Sequence, residues 1–374
     1  MKEINAILQA YEKAEADHLQ AALVTVVKVE GSSYRRPGAR MLVTEDGRMT
    51  GAISGGCLEG DALRKALLVV HQQKSKLVTY DTSNEEDAAI GVQLGCAGII
   101  HVLMEPIQTR KAGNPIELFR KITQKRQSAV LITLFSTEDP FAVQAGTCWL
   151  LEENGSWSGN LPGNELNEMI GSCAREALQQ KKSSLIRIPG NTFLNGFIEY
   201  LPAPISLLIA GAGNDVFPLV EMAGLLGWNT TVIDGRPTHA NPSRFQAGCQ
   251  LIVSSPENLP GTITYDARTA AALMTHNYVY DKAMLKELLK TEIPYIGLLG
   301  PRKKLDRMLQ ELIEEGLPVS EEQRNRIYGP VGFDIGAETS EEIALAITTE
   351  IQACMAGKTG PSLKNKTTGI HATF

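Results

Sequence analysis

One thiol, Cys57, stands directly after the glycine pair Gly55 and Gly56 and directly before a helical pattern that carries Glu59. Glycines at a helix start let backbone N–H groups approach a ligand closely, and the helix dipole favours negative charge at that end. The same field stabilises a thiolate, so this stretch predicts a reactive cysteine beside an anion-binding turn. The alternative is a tight structural turn with a small, buried cysteine, and the stretch by itself leaves both interpretations open.

Three arginines precede this turn and extend the same chemistry. Arg35, Arg36 and Arg40 carry planar, permanently charged guanidinium groups that suit bidentate binding of phosphate or another oxyanion, and Ser32 and Gly38 lie on the same stretch. The alternative for the arginines is a solvated hairpin edge with surface ion pairs. That account is equally good for Arg40, because this residue falls on a predicted strand.

A second candidate site begins in the stretch ISLLIAGAGNDVFPLV, which predicts a strand, a glycine turn and a helix, followed by a strand that ends at Asp234. Gly211 permits the tight turn, Gly213 permits close approach of the backbone to a phosphate, and Asp234 has the spacing of an acid that binds a ribose hydroxyl. Val216 takes the third glycine position, however, and Pro218 lies in the first helical turn. The pattern therefore indicates a Rossmann-like fold more firmly than it indicates a bound dinucleotide.

His276 ends an apolar strand, and Asp281 starts the next predicted helix. In an open parallel sheet the carboxyl ends of the strands line the ligand crevice, so both side chains are candidates to face the site. The alternative is a structural histidine and a helix cap.

These candidates need a scaffold, and an internal repeat indicates its form. Residues 21–80 align with residues 129–188 without a gap, and the turn glycines, the strand residues and the preceding helix recur. Each copy carries a tight hairpin turn, Asp-Gly in the first and Asn-Gly in the second. We interpret residues 1 to about 204 as a duplicated α+β unit.

The polar residues of the first copy are absent from the second. Val143 stands in place of Arg35 and Glu165 in place of Cys57, and the second copy lacks the segment that contains Cys96. A scaffold that recurs without its polar set favours a functional role for that set.

The rest of the chain completes the predicted architecture. Short apolar strands alternate with helical patterns at residues 281–290, 302–315 and 340–356. The sequence predicts an α/β protein, with an N-terminal duplicated α+β region followed by a C-terminal Rossmann-like parallel-sheet domain. The predicted divisions are residues 1–106, 107–204 with its proline-containing linker, 205–357, and a disordered tail at 358–374.

Composition excludes several classes of protein. The chain of 374 residues has 42 acidic and 36 basic side chains and no long basic run, so we expect no nucleic-acid partner. No apolar stretch approaches the roughly 20 residues of a membrane span, and the start is an amphipathic helix rather than a signal peptide, so we expect a cytoplasmic protein. The six cysteines include no CxxC pair, so neither a disulfide framework nor a zinc or iron–sulfur site is indicated.

Several motifs together resemble one known family. They run in chain order through both halves: GSSYRRPGARMLV, GAISGGCLEGDA, GCAGIIHVLMEP, MTHNYVYDKAMLKELL and GPVGFDIGAETSEEIALAITTEI. In these stretches the chain is similar to the XdhC/CoxI family, the xanthine dehydrogenase accessory proteins. The resemblance implies a maturation factor rather than a turnover enzyme. Such a factor binds the molybdenum cofactor (molybdopterin), promotes exchange of an oxo for a sulfido ligand with a cysteine desulfurase, and delivers the cofactor to an apo molybdenum hydroxylase.

The resemblance also assigns candidate residues. Cys57 would ligate the metal or relay sulfur, and the motif GCAG offers Cys96 as a second thiol. We also expect a homodimer. The candidate cofactor-binding residues are Ser32, Arg35, Arg36, Gly38, Arg40, Gly55, Gly56, Glu59, Cys96, Gly211, Gly213, Asp234, His276 and Asp281.

Two other functions are weighed beside this one. An NAD(P)-dependent oxidoreductase would use Gly211, Gly213, Asp234 and His276. A molybdenum hydroxylase subunit would need iron–sulfur cysteine clusters, flavin determinants or a much larger molybdenum domain, and the sequence has no such cysteine clusters or large domain.

Overall fold

A computed structural model describes residues 1–82, 98–108, 113–137, 144–159, 166–188, 194–245, 248–259, 261 and 263–367. The chain divides into two compact units, one spanning Met1–Ala203 and the other beginning at Pro204. Within the described ranges, no helix is both long enough and apolar enough to cross a membrane.

The first half of the N-terminal unit is an antiparallel sheet with two helices. Its strands lie in the order β3-β2-β1-β5-β4. The elements are α1 (Lys2–Ala16), β1 (Ala21–Gly31), β2 (Arg40–Thr44), β3 (Met49–Gly51), α2 (Glu59–Gln72), β4 (Lys76–Asp81) and β5 (Gly98–Pro106). The first seven residues of β1 are all buried, because the strand is covered on both of its faces.

The second half has the same plan. Its strands lie in the order β8-β7-β6-β10-β9. The elements are α3 (Pro115–Gln124), β6 (Ala129–Ser136), β7 (Gly146–Glu152), β8 (Trp157–Gly159), α4 (Asn167–Gln180), β9 (Ser184–Arg187) and β10 (Leu194–Leu201). Helices α2 and α4 both end at a residue in the left-handed conformation, Gln73 and Lys181. This correspondence supports our inference of a duplication.

The two halves share a core. Residues of α1 and α3 pack in one cluster with residues from both sheets, including Leu23 and its repeat partner Leu131. A second cluster joins the sheets through Val27, Phe135 and Phe197. Helices α2 and α4 pack on their own sheets in separate clusters. The repeat therefore buries the same strand positions twice, once from each half.

Two buried glutamates, one from each half, bond to residues of the other half. Glu199 of β10 forms an ion pair with Arg40 of β2, whose guanidinium also donates to the Gly38 carbonyl at 2.8 Å. Glu105 of β5 accepts from the Thr147 N–H at 2.7 Å and from the Thr147 hydroxyl at 2.8 Å. Each half therefore supplies one carboxylate that binds a residue of the other half inside the shared core.

The C-terminal unit is built on a parallel sheet in the order β13-β12-β11-β14-β15-β16. Its elements are β11 (Ser206–Ala210), α5 (Phe217–Leu226), β12 (Asn229–Asp234), β13 (Cys249–Val253), β14 (Thr269–Leu273), α6 (Tyr278–Leu288), β15 (Tyr295–Leu298), α7 (Arg302–Glu314), α8 (Glu321–Asn325), β16 (Ile327–Tyr328) and α9 (Ser340–Met355). This sheet, together with the antiparallel sheets of the N-terminal unit, confirms the predicted fold class.

One expected helix boundary differs from the structure. Helix α6 begins at Tyr278, three residues before the predicted start, because the Asn277 side chain caps it by accepting from the N–H groups of Val279 and Tyr280. Part of the predicted disordered tail is described: residues 358–367 include a short helical turn at Leu363–Asn365. Residues 368–374 lie outside the described ranges.

We predict that Glu199→Ala lowers the free energy of unfolding of the N-terminal unit by about 3–5 kcal/mol, because Arg40 is left as a buried charge without its carboxylate. Urea denaturation in a Trp228→Phe background checks this, since Trp149 and Trp157 then report the N-terminal unit alone. Glu12→Ala, at an exposed position of α1, is the control and should change stability by no more than about 0.5 kcal/mol. A loss below about 1 kcal/mol in Glu199→Ala would contradict the prediction.

Candidate functional site

The turn before α2 is held together by one serine. The Ser54 hydroxyl oxygen accepts hydrogen bonds from the backbone N–H groups of Gly56, Cys57 and Leu58, at 3.2, 3.1 and 3.1 Å. Gly56 has a φ of 112°, in the region that favours glycine. The sequence predicted that the backbone N–H groups of this turn would bind an anion. In the structure, three of them donate to the Ser54 hydroxyl instead.

Glu59, in the first turn of α2, binds the same serine. Its carboxylate accepts hydrogen bonds from the Ser54 hydroxyl, from the Ser54 N–H at 2.8 Å and from the Ile53 N–H at 3.2 Å. Burial raises the pKa of Glu59, but these hydrogen bonds outweigh burial and hold the pKa below its ordinary value. Glu59 is an ionised side chain that fixes the turn from inside.

Cys57 lies at the surface of this turn. Among the described cysteines it is the exposed one, while Cys148 is buried and the other three are intermediate. The ring of Tyr34, which is 70% exposed, lies along Gly55: a Cβ on this glycine would be 3.5–3.7 Å from three ring atoms. The loop between β1 and β2 therefore meets the turn that carries the thiol. Cys96 lies in residues 83–97, outside the described ranges.

The same loop carries two of the three predicted arginines at or near the surface. The Arg35 guanidinium forms an ion pair with Glu3 of α1, and 33% of its side chain remains exposed. Arg36 and Ser32 are exposed. The contact between Tyr34 and Gly55 joins this loop to the Cys57 turn. We call the exposed and partly exposed residues of these two segments the thiol–arginine face, defined by Ser32, Tyr34, Arg35, Arg36, Gly55, Gly56 and Cys57.

Arg40 belongs to the core rather than to this face, and the partly exposed Gly38 packs against the partner of Arg40, Glu199. Arg40 is 1% exposed. Burial lowers the pKa of its guanidinium, but the carboxylates of Glu199, Glu3 and Glu105 together outweigh burial and raise the pKa above its ordinary value. Gly38, with φ of 95°, has Glu199 packed against its Cα, where a side chain would clash. Of the two interpretations of Arg40, the structure favours an ion pair, and that pair is buried.

In the C-terminal unit, the glycine turn and the acid occupy the predicted Rossmann positions. Gly211 has a φ of 114°, and a Cβ there would clash with the Met274 carbonyl at the end of β14. Asp234, at the end of β12, accepts from the Ala212 N–H at 2.9 Å and from three groups of Arg236 at 2.8–2.9 Å. Burial raises the pKa of Asp234, but Arg236 and the hydrogen bond from the Ala212 N–H together outweigh burial and lower it. A ribose hydroxyl would have to replace one of these bonds.

His276 and Asp281 both lie beyond the carboxyl end of β14 but have different surroundings. His276 is exposed, and its Nε2 lies 2.8 Å from a carboxylate oxygen of Asp215. Asp281 is fully buried; it accepts from the Thr275 hydroxyl at 2.6 Å and from the Lys304 ammonium at 2.6 Å. Asp281 is therefore half of a buried ion pair and not a helix cap.

Several residues of these surfaces were missed by sequence reasoning. Lys304 lies in the stretch GLLGPRKK, and Ser54 lies within the motif GAISGGCLEGDA, so both were visible without being singled out. Asp215 directly follows the GAGN turn. An acid at this position repels a phosphate, so the sequence already contained a signal against phosphate binding at the turn. Within the described ranges, no three His, Cys, Asp or Glu side chains are grouped to hold a metal ion.

Comparison with known proteins agrees with this arrangement of units. A family model described as the XdhC and CoxI family matches residues 14–81, and one described as the XdhC Rossmann domain matches residues 207–351. A Bacillus subtilis protein, named as a probable xanthine dehydrogenase subunit, is 32% identical over 336 residues, which cover 90% of this chain and 93% of that protein.

Two further relatives align over most of the chain. The Escherichia coli "Molybdenum cofactor insertion chaperone PaoD" is 23% identical over 331 residues, which are 88% of this chain and 82% of that protein. A crystal structure from Bacillus halodurans, described as a xanthine dehydrogenase, is 28% identical with a TM-score of 0.74, covering 95% of this chain and 97% of that one. Motifs, fold and relatives agree across both units, and the chain belongs to the XdhC and CoxI family.

Proposed function

We propose that this protein is an accessory protein that binds the molybdenum cofactor and supports its sulfuration and insertion into a molybdenum hydroxylase of the xanthine dehydrogenase or CO dehydrogenase type. The observation that carries the proposal is the thiol–arginine face, where an exposed Cys57 lies on an ordered turn beside the loop of Arg35 and Arg36. The names of the Bacillus subtilis and Escherichia coli relatives support the same class of client and cargo.

The residues of this face fit an anionic cargo. Molybdopterin carries a phosphate and an anionic, dithiolene-bound metal oxide, and guanidinium groups suit both. The side chain of Arg36 is exposed to solvent and that of Arg35 is partly exposed. The N–H groups of the turn donate to Ser54. The arginines and Cys57 would therefore hold the cargo, and the Ser54 and Glu59 contacts would keep the turn in place. Cys57 would act as a metal ligand or as a sulfur relay.

The partners follow from this role. We propose an apo molybdenum hydroxylase as client, a cysteine desulfurase as sulfur source, a homodimer as the working assembly and the cytoplasm as the location. The protein acts as a maturation factor in this proposal and not as a turnover enzyme.

An NAD(P)-dependent oxidoreductase is the second candidate. The positions of Gly211 and Asp234 favour it, because they are those of a dinucleotide-binding turn and its ribose acid. It is the weaker candidate because both oxygens of Asp234 are already bonded and because Asp215 lies over Gly213. A nucleotide, or the phosphate-bearing end of the cargo, would have to displace that carboxylate.

We predict that the double variant Arg35→Ala, Arg36→Ala loses at least about tenfold of its cofactor content, because the guanidinium groups hold the anionic cargo. Molybdenum and pterin are measured in protein purified from a host that makes molybdopterin. Its stability should change by about 1 kcal/mol or less, since these side chains lie at the surface.

The matched control for this loss is Arg64→Ala with Arg120→Ala, which removes two arginines from exposed ion pairs elsewhere in the N-terminal unit. This control should retain the cofactor at the wild-type level. Equal cofactor content in the Arg35, Arg36 variant and the wild type would overturn the assignment of the site.

We predict that Cys57 reacts with iodoacetamide faster than the other described cysteines near neutral pH, because it is the exposed thiol among them. Bound cofactor should protect it. Labelling rates of each cysteine are measured by mass spectrometry, with and without cofactor, and Cys96 is followed as the competitor. An unreactive Cys57, together with normal client activation by Cys57→Ala, would leave the arginines as the whole site.

A further inference from the structure

The first turn of a Rossmann domain normally presents backbone N–H groups and a helix N-terminus to the pyrophosphate of a dinucleotide. Here the turn runs from Gly211 through a short 3-10 segment, Asn214–Val216, into α5. Asp215 folds back within this turn, and a Cβ on Gly213 would clash with its carboxylate oxygen. The backbone position that must admit a phosphate is therefore covered by a carboxylate of the same chain.

This carboxylate is held in place from the neighbouring strand. The second oxygen of Asp215 lies 2.8 Å from Nε2 of His276, which follows the end of β14. His276 has a φ of 56°, a left-handed conformation that is uncommon for a residue other than glycine. The strained backbone aims this side chain at the turn, and 64% of the side chain stays exposed. The contact thus links the segments that follow β11 and β14, at the position where a dinucleotide-binding Rossmann domain holds the pyrophosphate.

Other polar groups of the turn are engaged as well. The Ala212 N–H donates to Asp234 at 2.9 Å. Arg244 donates to the Ala212 carbonyl at 2.8 Å and to the Asn214 side chain at 2.7 Å. The guanidinium of Arg244 therefore ties down the turn that Asp215 covers.

We propose that Asp215 is a specificity-determining residue of the C-terminal unit, which excludes pyrophosphate-bearing nucleotides from the glycine turn while its contact with His276 holds. The Asp215 carboxylate lies over Gly213, just before the N-terminal end of α5, and a phosphate in the same place meets a like charge. The inference goes beyond cofactor binding at the thiol–arginine face and does not rest on it.

The test is a gain of binding, with ADP as the probe. ADP affinity is measured by isothermal titration calorimetry at low ionic strength for the wild-type chain, Asp215→Ala, Asp215→Asn and Glu221→Ala. Removal of the carboxylate should tighten ADP binding by at least about tenfold in Asp215→Ala. Two like charges about 5 Å apart near a protein surface have a repulsion energy large enough to change an affinity by that factor. Glu221, an exposed acid on α5, makes the same change in net charge outside the turn and should leave ADP affinity at the wild-type value.

Asp215→Asn distinguishes repulsion by the negative charge from steric blocking by the side chain. The amide removes the charge but keeps the size of the side chain and a hydrogen-bond partner for His276. A gain in Asp215→Asn of at least half that in Asp215→Ala, on a logarithmic scale, supports exclusion by charge; wild-type affinity in this variant overturns it. Equal ADP affinity of the wild type and Asp215→Ala also overturns the proposal, whether both bind or neither does. Thermal unfolding of each variant confirms that the unit is folded.

Discussion

A pair of buried carboxylates, one from each half of the N-terminal unit, is the constraint on which this unit depends. Glu199 neutralises Arg40, and Glu105 satisfies Thr147, each deep in the core that the two sheets share. Burying a charge or a polar group without a partner costs free energy of folding. Separation of the two halves would leave these groups exposed or without their hydrogen-bond partners. The hydrophobic clusters make the halves adhere, and the carboxylates fix their register.

The thiol–arginine face follows from this constraint. Arg40 anchors the start of β2, and its backbone N–H donates to Glu3 of α1 at 2.9 Å. Glu3 in turn pairs with Arg35, so the loop that carries the arginines is tied to the buried pair through one side chain. Ser54 and Glu59 order the facing turn independently. The two segments of the thiol–arginine face are thus each held in place by a carboxylate, Glu3 for the loop and Glu59 for the turn.

Carboxylates have opposite roles in the two units. In the N-terminal unit Glu3 and Glu199 pair with the cationic side chains of Arg35 and Arg40, next to and beneath the thiol–arginine face. In the C-terminal unit Asp215 lies directly on the glycine turn, where it opposes a phosphate. The family's Rossmann-like architecture therefore does not by itself specify a nucleotide ligand in this chain, because the ligand depends on the side chains at the turn.

Local sequence determined several of the elements. The capping box Thr339–Glu342 marks the start of α9, and the glycine turn at Gly211 marks the junction of β11 with its helix, since both signals act through neighbouring backbone groups. The long-range pairs of charged side chains were decided only by the tertiary structure: Glu199 lies 159 residues from Arg40, and His276 lies 61 from Asp215. No local pattern encodes such pairs, because packing of distant strands brings the groups together.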